Sequence, residues 1–183
     1  MSGKQSGWTL FLDRDGVINH RLPGDYVKSW AEFIFMPGVL SALAHLNNRF
    51  DHLVMVTNQQ GIAKGLMTEQ DLSTIHHRMR KMIRKHRGRI DAVYHCSASS
   101  DQVPSCRKPE PYMGIQAKKD FPTIDFKQSV LVGDSVSDIE FGKNLNMITV
   151  YVNPLLENPG EAAYVCKDLM EFCRIFDRSI RVQ

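Results

Sequence analysis

No apolar run in the 183 residues reaches the length of a membrane span, and the opening segment, Met1 to Gly7, is polar and lacks a signal core. Cysteine is scarce as well: Cys96, Cys106, Cys166 and Cys173 are the only four, scattered through a chain long enough to need no cross-links. Together these absences predict a cytoplasmic protein with reduced thiols and no membrane association. Charge of one sign is also lacking. A net charge of +3 suits a small anionic ligand but is too weak to argue for nucleic acid. There is no internal repeat, low-complexity tract or linker, so residues 1–183 are expected to form one domain. No apolar stripe is left over beyond the expected core faces, which predicts a monomer.

Hydrophobic residues, at 43%, are plentiful enough for a sizeable core, and they fall into alternating strand and helix patterns. Trp8 to Leu12, Leu53 to Val56, Ala92 to Cys96, Ser129 to Gly133 and Met147 to Val152 read as five buried strands. Between them, helical spacing runs through Val39, Leu40, Leu43 and Leu46, and through Leu72, Ile75, Met79, Met82 and Ile83. Thr68 and Asp71 suggest a capping box opening the second of these helices. Further helices are expected over Tyr112–Phe121, Val136–Asn146 and Asp168–Phe176. The alternation predicts an α/β protein: a three-layer α/β/α, Rossmann-like arrangement with a mainly parallel sheet and no large cap domain. The stretch Asn19 to Pro37 carries Tyr26, Trp30, Phe33 and Phe35, too many aromatics for a free linker. It reads as a flap beside a site or, alternatively, a surface hairpin.

Phe11-Leu12-Asp13-Arg14-Asp15-Gly16 ends the first strand on two aspartates one residue apart. Ionised acids seldom sit at the mouth of a core strand without a partner. Asp13 could serve as a nucleophile and Asp15 as general acid and then base. A divalent cation would relieve their repulsion, and Mg2+ suits an all-oxygen site. A strand-end turn is the plain alternative. The second strand ends in Thr57-Asn58-Gln59-Gln60-Gly61, whose polar groups can hold phosphate oxygens or simply form a loop. Arg107-Lys108-Pro109 forms a stiff cationic corner; its lysine could neutralise an aspartate–phosphate pair and its arginine could grip a second anion. Asp134 follows the fourth strand, where it or Ser135 could cap the next helix and where Asp134 could also complete a metal shell. The basic run from Arg78 to Arg89 reads as an anion-binding face or as a solvated one that complements the helix dipole. Parallel α/β sheets bind ligands at the carboxyl ends of their strands. All four polar groups fall on that one edge, which favours a shared site.

Asp13-x-Asp15-Gly16, Thr57-Asn58, Lys108-Pro109 and Gly133-Asp134-Ser135-x-x-Asp138 together resemble the haloacid-dehalogenase (HAD) superfamily of aspartate-nucleophile phosphatases, over roughly Trp8 to Val152. The longer strings Phe11 to Asn19, Val56 to Gly65 and Cys106 to Pro109 resemble its D-glycero-D-manno-heptose 1,7-bisphosphate phosphatase branch, which histidinol-phosphate phosphatases share. The resemblance implies that Asp13 forms an aspartyl-phosphate, that Asp15 protonates the leaving oxygen and then activates water, and that Thr57 and Lys108 hold the phosphoryl group. It implies Mg2+ held by Asp13, the Asp15 carbonyl and Asp134. Asn19, Arg21, Tyr26, Asn58, Gln59, Gln60 and Arg107 would bind the rest of the substrate.

The branch commonly holds a structural zinc in the loop before Arg-Lys-Pro. Only Cys96 and Cys106 match that four-ligand motif, so no zinc is expected. Ser135 replaces a frequent lysine, and the flap Arg21 to Tyr26 is longer than usual; both bear on substrate choice more than on chemistry. The expected function is therefore an Mg2+-dependent phosphatase of a small phosphorylated metabolite, with a sugar bisphosphate of the heptose type as the leading candidate. Histidinol phosphate is the alternative substrate, and a non-catalytic phosphometabolite-binding relative the alternative class.

Overall fold

A computed structural model describes residues 7–103 and 105–180; the polar segment before Gly7 and Pro104 of the cysteine loop lie outside the described residues, apart from Gly7 itself. The elements follow one another as β1 (Thr9–Leu12), α1 (Val39–Leu46), β2 (His52–Asn58), α2 (Glu69–Lys85), β3 (Ala92–Cys96), α3 (Tyr112–Asp120), β4 (Ser129–Gly133), α4 (Val136–Asn144), β5 (Ile148–Val152), β6 (Tyr164–Cys166) and α5 (Leu169–Ile175). They build one six-stranded sheet in the order β3-β2-β1-β4-β5-β6. Every pairing is parallel. The chain reverses its winding between β1 and β4, the point at which such sheets open a crevice.

Strand periodicity accounts for the three layers. Alternate residues of β1 point to opposite faces. Leu10 and Leu12 join Leu53, Met55, Val130 and Val132 beneath α1, α2 and α5, through Leu43, Leu46, Leu72, Ile75 and Phe172. Phe11 joins Val54, Val56 and Leu131 against α3 and α4, through Met113, Ala117 and Phe141. The strands are buried on both faces, which is why they read as unbroken apolar runs rather than as alternating ones. The flap rests on its own aromatic cluster, in which Trp30 stacks on Phe33 at 5.1 Å and Phe35 meets Phe33 edge-on at 5.0 Å.

Three points differ from the sequence-based expectation. A sixth strand, Tyr164–Cys166, adds to β5 at the edge; three residues are too few for a periodic signal. On α2 the buried stripe takes in His76, while Met82 is half-buried. The cysteines are not all thiols. Cys96 and Cys106 form a disulfide across a Cα–Cα distance of 5.6 Å, and only Cys166 and Cys173 are free. The end of β3 and the chain leading to Lys108 both pass along the carboxyl edge, which brings the two residues within disulfide reach. Among the described residues, no helix is long and apolar enough to cross a membrane.

Helix α4 can approach the sheet closely at Gly142 because that residue has no side chain. A Cβ there would stand 2.6 Å from Thr149 Cγ2 and 3.0 Å from Leu131 Cδ2. Helix propensity alone would favour Gly142→Ala by ~1 kcal/mol. Overpacking of about 1–3 kcal/mol opposes it. The variant is expected to be less stable in urea titration, and a rise in stability would show that α4 can move away from the sheet.

Candidate active site

The register of β1 delivers the site. Leu12 pairs with Met55 on one side and Val132 on the other, so Asp13 emerges between the ends of β2 and β4. Its backbone N–H donates to Val132 O at 2.9 Å, extending the ladder one residue beyond the strand and fixing the carboxylate's direction. The next turn is possible only with glycine. Gly16 has φ +88°, and a Cβ on it would lie 2.0 Å from Asp134 Oδ2.

At the centre of the site, Lys108 Nζ donates to Asp13 Oδ1 at 2.7 Å and to Val56 O at 2.8 Å, and stands 2.5 Å from Asp138 Oδ1. The lysine is buried, with 3% exposure. Asn58 holds its backbone from both sides: Lys108 N donates to Asn58 Oδ1 at 3.0 Å, and Asn58 Nδ2 donates to Lys108 O at 3.2 Å. One ammonium thus serves two carboxylates. Burial and then repulsion from Asp138 push the Asp13 carboxyl well above the ordinary carboxylate range, although Lys108 pulls against them. Burial followed by Asp138 also raises Asp134. Burial disfavours the Lys108 charge, but Asp13 and Asp138 outweigh it and keep the amine protonated.

Asp13, Asp134 and Asp138 bring carboxylate oxygens within 4.8 Å of one another. Asp13 and Asp138 are buried and share the one ammonium, and the partly buried Asp134 meets the exposed guanidinium of Arg21, whose Nη1 donates to its Oδ2 at 3.4 Å. This all-oxygen cluster of three carboxylates fits a hard divalent cation. Asp138 is held by Lys108 and by Ser135 N at 3.1 Å, whereas Asp13 has one oxygen on Lys108 and Asp134 meets only the long, exposed contact from Arg21 at 3.4 Å, so Asp13 and Asp134 are the carboxylates better placed for it. Ser135, rather than Asp134, caps α4.

The side chain of Asp15 turns to a different set of partners. It accepts from Arg14 Nη2 at 3.0 Å, Asn19 Nδ2 at 2.8 Å and Gln59 Nε2 at 3.0 Å. Burial raises its pKa, but Arg14 and these hydrogen bonds win, and the net shift is downward. Behind Asp15, the fully buried Arg14 also donates from Nη1 to His76 Nε2 at 3.3 Å. This needs an unprotonated imidazole nitrogen. Burial, then the Arg14 and His95 charges, lower the His76 pKa to about 3, consistent with that role.

A cleft of about 340 Å3 opens above these groups, lined by Asp13, Asp15, Thr57, Asn58, Lys108 and Asp134, with Arg21 and Tyr26 from the flap and Arg107 and Lys64 from the loops. Three residues expected to touch substrate are placed otherwise. Asn19 is fully buried and holds Asp15; Gln59, also buried, bridges Asp15 and Thr57 Oγ1 (2.9 Å). Gln60 connects Tyr26 Oη (3.3 Å) to Ser99 and Ser100. The NH2 group of each donates to protein partners and none of the three lines the cleft, so they position it instead. Arg14, His76 and the Lys108–Asp138 pair escaped the sequence reading. A histidine inside the α2 stripe was the available signal for one of them; the ion pair joins residues 30 apart and left no local trace.

The family model for polynucleotide kinase 3 phosphatase matches residues 10–166. A D-glycero-alpha-D-manno-heptose-1,7-bisphosphate 7-phosphatase of Mycobacterium tuberculosis is 39% identical over 138 residues, spanning 75% of this chain and 73% of that protein. A D-glycero-beta-D-manno-heptose-1,7-bisphosphate 7-phosphatase of Helicobacter pylori is 32% identical over 166 residues, 88% of this chain and 93% of that one. Among solved structures, D,D-heptose 1,7-bisphosphate phosphatase from B. bronchiseptica, complexed with magnesium and phosphate, superposes with a TM-score of 0.84 at 30% identity, over 93% of this chain and 98% of that one.

Lys108→Met would leave two buried acids sharing no cation, which by precedent destabilises by about 3–5 kcal/mol. Urea titration at neutral pH should show that loss, and adding Asp138→Asn should restore part of it. An additive double variant would mean that the ion pair is not shared. His76 predicts an acid limb. The unfolded chain takes up its proton below about pH 6.5, whereas the folded chain refuses it down to about 3. Stability therefore falls as pH drops through that window, by roughly 1.4 kcal/mol per pH unit from this group. His76→Gln, which keeps an acceptor for Arg14, should flatten the limb; an unchanged slope would place the proton uptake elsewhere.

Proposed function

Because this chain belongs to the polynucleotide kinase 3 phosphatase family of HAD-type phosphatases, we propose that it hydrolyses a D-glycero-D-manno-heptose 1,7-bisphosphate, removing the 7-phosphate through a phosphoryl group carried on Asp13. The convergence of Asp13, Lys108 and Asp134 in one cleft with cationic groups farther out carries this reading. Two sets of relatives support the substrate: the Mycobacterium tuberculosis and Helicobacter pylori proteins that bear this activity in their names.

Asp13 has one oxygen occupied by Lys108, which leaves the other to attack phosphorus in line. Lys108 holds the aspartate in place and neutralises charge on the transferring group, and the Thr57 hydroxyl lines the same cleft beside it. Mg2+, held by Asp13, Asp134 and the Asp15 main-chain carbonyl, would supply charge neutralisation for the phosphoryl oxygens. Asp15 rests ionised, since Arg14, Asn19 and Gln59 all stabilise its charge. An entering phosphate dianion raises a neighbouring carboxyl pKa. The proton Asp15 gives to the leaving sugar oxygen is therefore loaded when substrate arrives. Once the leaving group has gone, the ionised resting form is the one suited to take a proton from water.

The second phosphate of a bisphosphate needs its own cation. Arg107 lines the cleft with Nη1 buried and without a hydrogen-bond partner among the described residues, and Arg21, Tyr26 and Lys64 line the same cleft. A guanidinium in this state suits a phosphate in a forked geometry.

Asp13→Asn should reduce phosphate release from both an aryl monophosphate and the heptose bisphosphate to background. Arg107→Ala should raise KM for the bisphosphate roughly tenfold, the worth of one charge-assisted hydrogen bond, while leaving KM for the aryl monophosphate unchanged. Equal effects on both substrates would remove Arg107 from recognition of the second phosphate. Full activity of Asp13→Asn would end the enzymatic proposal.

A further inference from the structure

The Cys96–Cys106 bond adjoins two residues that line the cleft: Asn58, which pairs with Cys96 across β2 and β3, and Arg107, which follows Cys106. Cys96 ends β3 and is fully buried, and Cys106 immediately precedes Arg107. Between them, residues 100–103 are exposed, with Val103 at 90%, so little packing holds that part of the loop. Ala98 packs on the core and Gln102 N donates to Ser99 O at 3.3 Å within the loop; the other ties described run toward the substrate side. Ser105 Oγ accepts from Arg107 N at 3.1 Å. Gln60 Nε2 donates to Ser99 Oγ at 3.3 Å and Ser100 Oγ at 3.1 Å, and Gln60 Oε1 accepts from Tyr26 Oη at 3.3 Å. Both Arg107 and Tyr26 line the cleft. Lys108, one residue on, does not need these ties. Asn58 fixes its backbone from both sides, and Asp13, Val56 O and Asp138 hold its ammonium.

We infer that Cys96 and Cys106, joined as a disulfide, are positioning residues for Arg107 and the Tyr26 side of the cleft, so that opening the bond weakens recognition of the substrate's second phosphate while leaving phosphoryl transfer intact. The inference rests on the bisphosphate reading above. The chemistry is a thiol–disulfide exchange with a dithiol: the Cys96–Cys106 bond gains two electrons and two protons and becomes two thiols, and the dithiol closes to its own cyclic disulfide. Loop closure supplies the physical reason. The bond ties the two ends of the loop together, and releasing it returns conformational freedom to a segment that few other contacts restrain. The same sequence position thus carries a specificity element one residue away from a catalytic one, with separate anchors for each.

The test compares air-oxidised enzyme with enzyme treated with dithiothreitol, assayed with the heptose bisphosphate and with an aryl monophosphate, after non-reducing peptide mapping has scored the bond. Reduction should raise KM for the bisphosphate roughly tenfold, the loss of one charged hydrogen bond, with kcat within about twofold. KM for the aryl monophosphate should not move. Cys106→Ser should show the raised KM before reduction and no response to dithiothreitol, and reoxidation should restore the wild type alone. Amide hydrogen exchange gives a readout independent of substrate: reduction should speed exchange over residues 97–103 and 105–107 and at Tyr26, but not over residues 12–15 and 54–58. The inference fails if mapping finds no Cys96–Cys106 peptide, if KM and loop exchange ignore reduction, or if kcat falls equally for both substrates. An oxidised enzyme that turns over the aryl ester without preferring the bisphosphate overturns the substrate reading instead, and the exchange result then decides whether the tether exists.

Discussion

A single buried ammonium organises the carboxyl edge of this sheet. Lys108 Nζ meets Asp13 just past β1, the carbonyl of Val56 from β2 and Asp138 from α4, tying these three elements at one point. A lysine that is 3% exposed can keep its charge only with such partners. Conversely, Asp13 and Asp138 can stay close together inside the protein only because that charge lies between them. The mutual dependence fixes the direction of Asp13, leaving one carboxylate oxygen bound and the other free.

The rest of the site is arranged so that no partner has two conflicting tasks. Asp15 is held apart from the lysine by Arg14, Asn19 and Gln59, and its ionisation is therefore set by a separate group of donors. Asp134 shares the carboxylate cluster but not the ammonium; its charge is met by the exposed Arg21 at 3.4 Å, and it lies where it could join Asp13 on a cation. Arg14 is itself supported by a neutral histidine, which accepts a hydrogen bond without adding a third positive charge to the interior. The two acids one residue apart in sequence thus sit in different electrostatic settings, the condition under which neighbouring carboxylates can divide nucleophilic and proton-transfer work.

Much of this was readable from the sequence, for physical reasons that vary by element. Strands buried on both faces leave unbroken apolar runs, so β1 to β5 were visible, and the rule that ligands meet a parallel sheet at its carboxyl edge placed Asp13, Thr57, Lys108 and Asp134 together. The Thr68 capping box was visible because its two members are three residues apart. What stayed hidden depends on contacts distant in sequence or too short to be periodic. β6 is three residues long and forms by pairing with β5. Asn19 and Gln59 look like ligand-binding amides by type, and only their burial shows that they serve Asp15. The Cys96–Cys106 bond was missed because two cysteines ten residues apart, read by the class of protein they occur in, gave no hint that the chain ends around them converge.

The account stands on the claim that the free oxygen of Asp13 accepts the phosphoryl group. Acid quenching during a single turnover, with substrate radiolabelled in the transferred phosphoryl group, followed by peptide mapping, tests that claim directly. The label should appear on the peptide containing Asp13, at that residue, and should be absent from Asp13→Asn. Turnover with no label on the protein at any quench time, or label on a different residue, would contradict it.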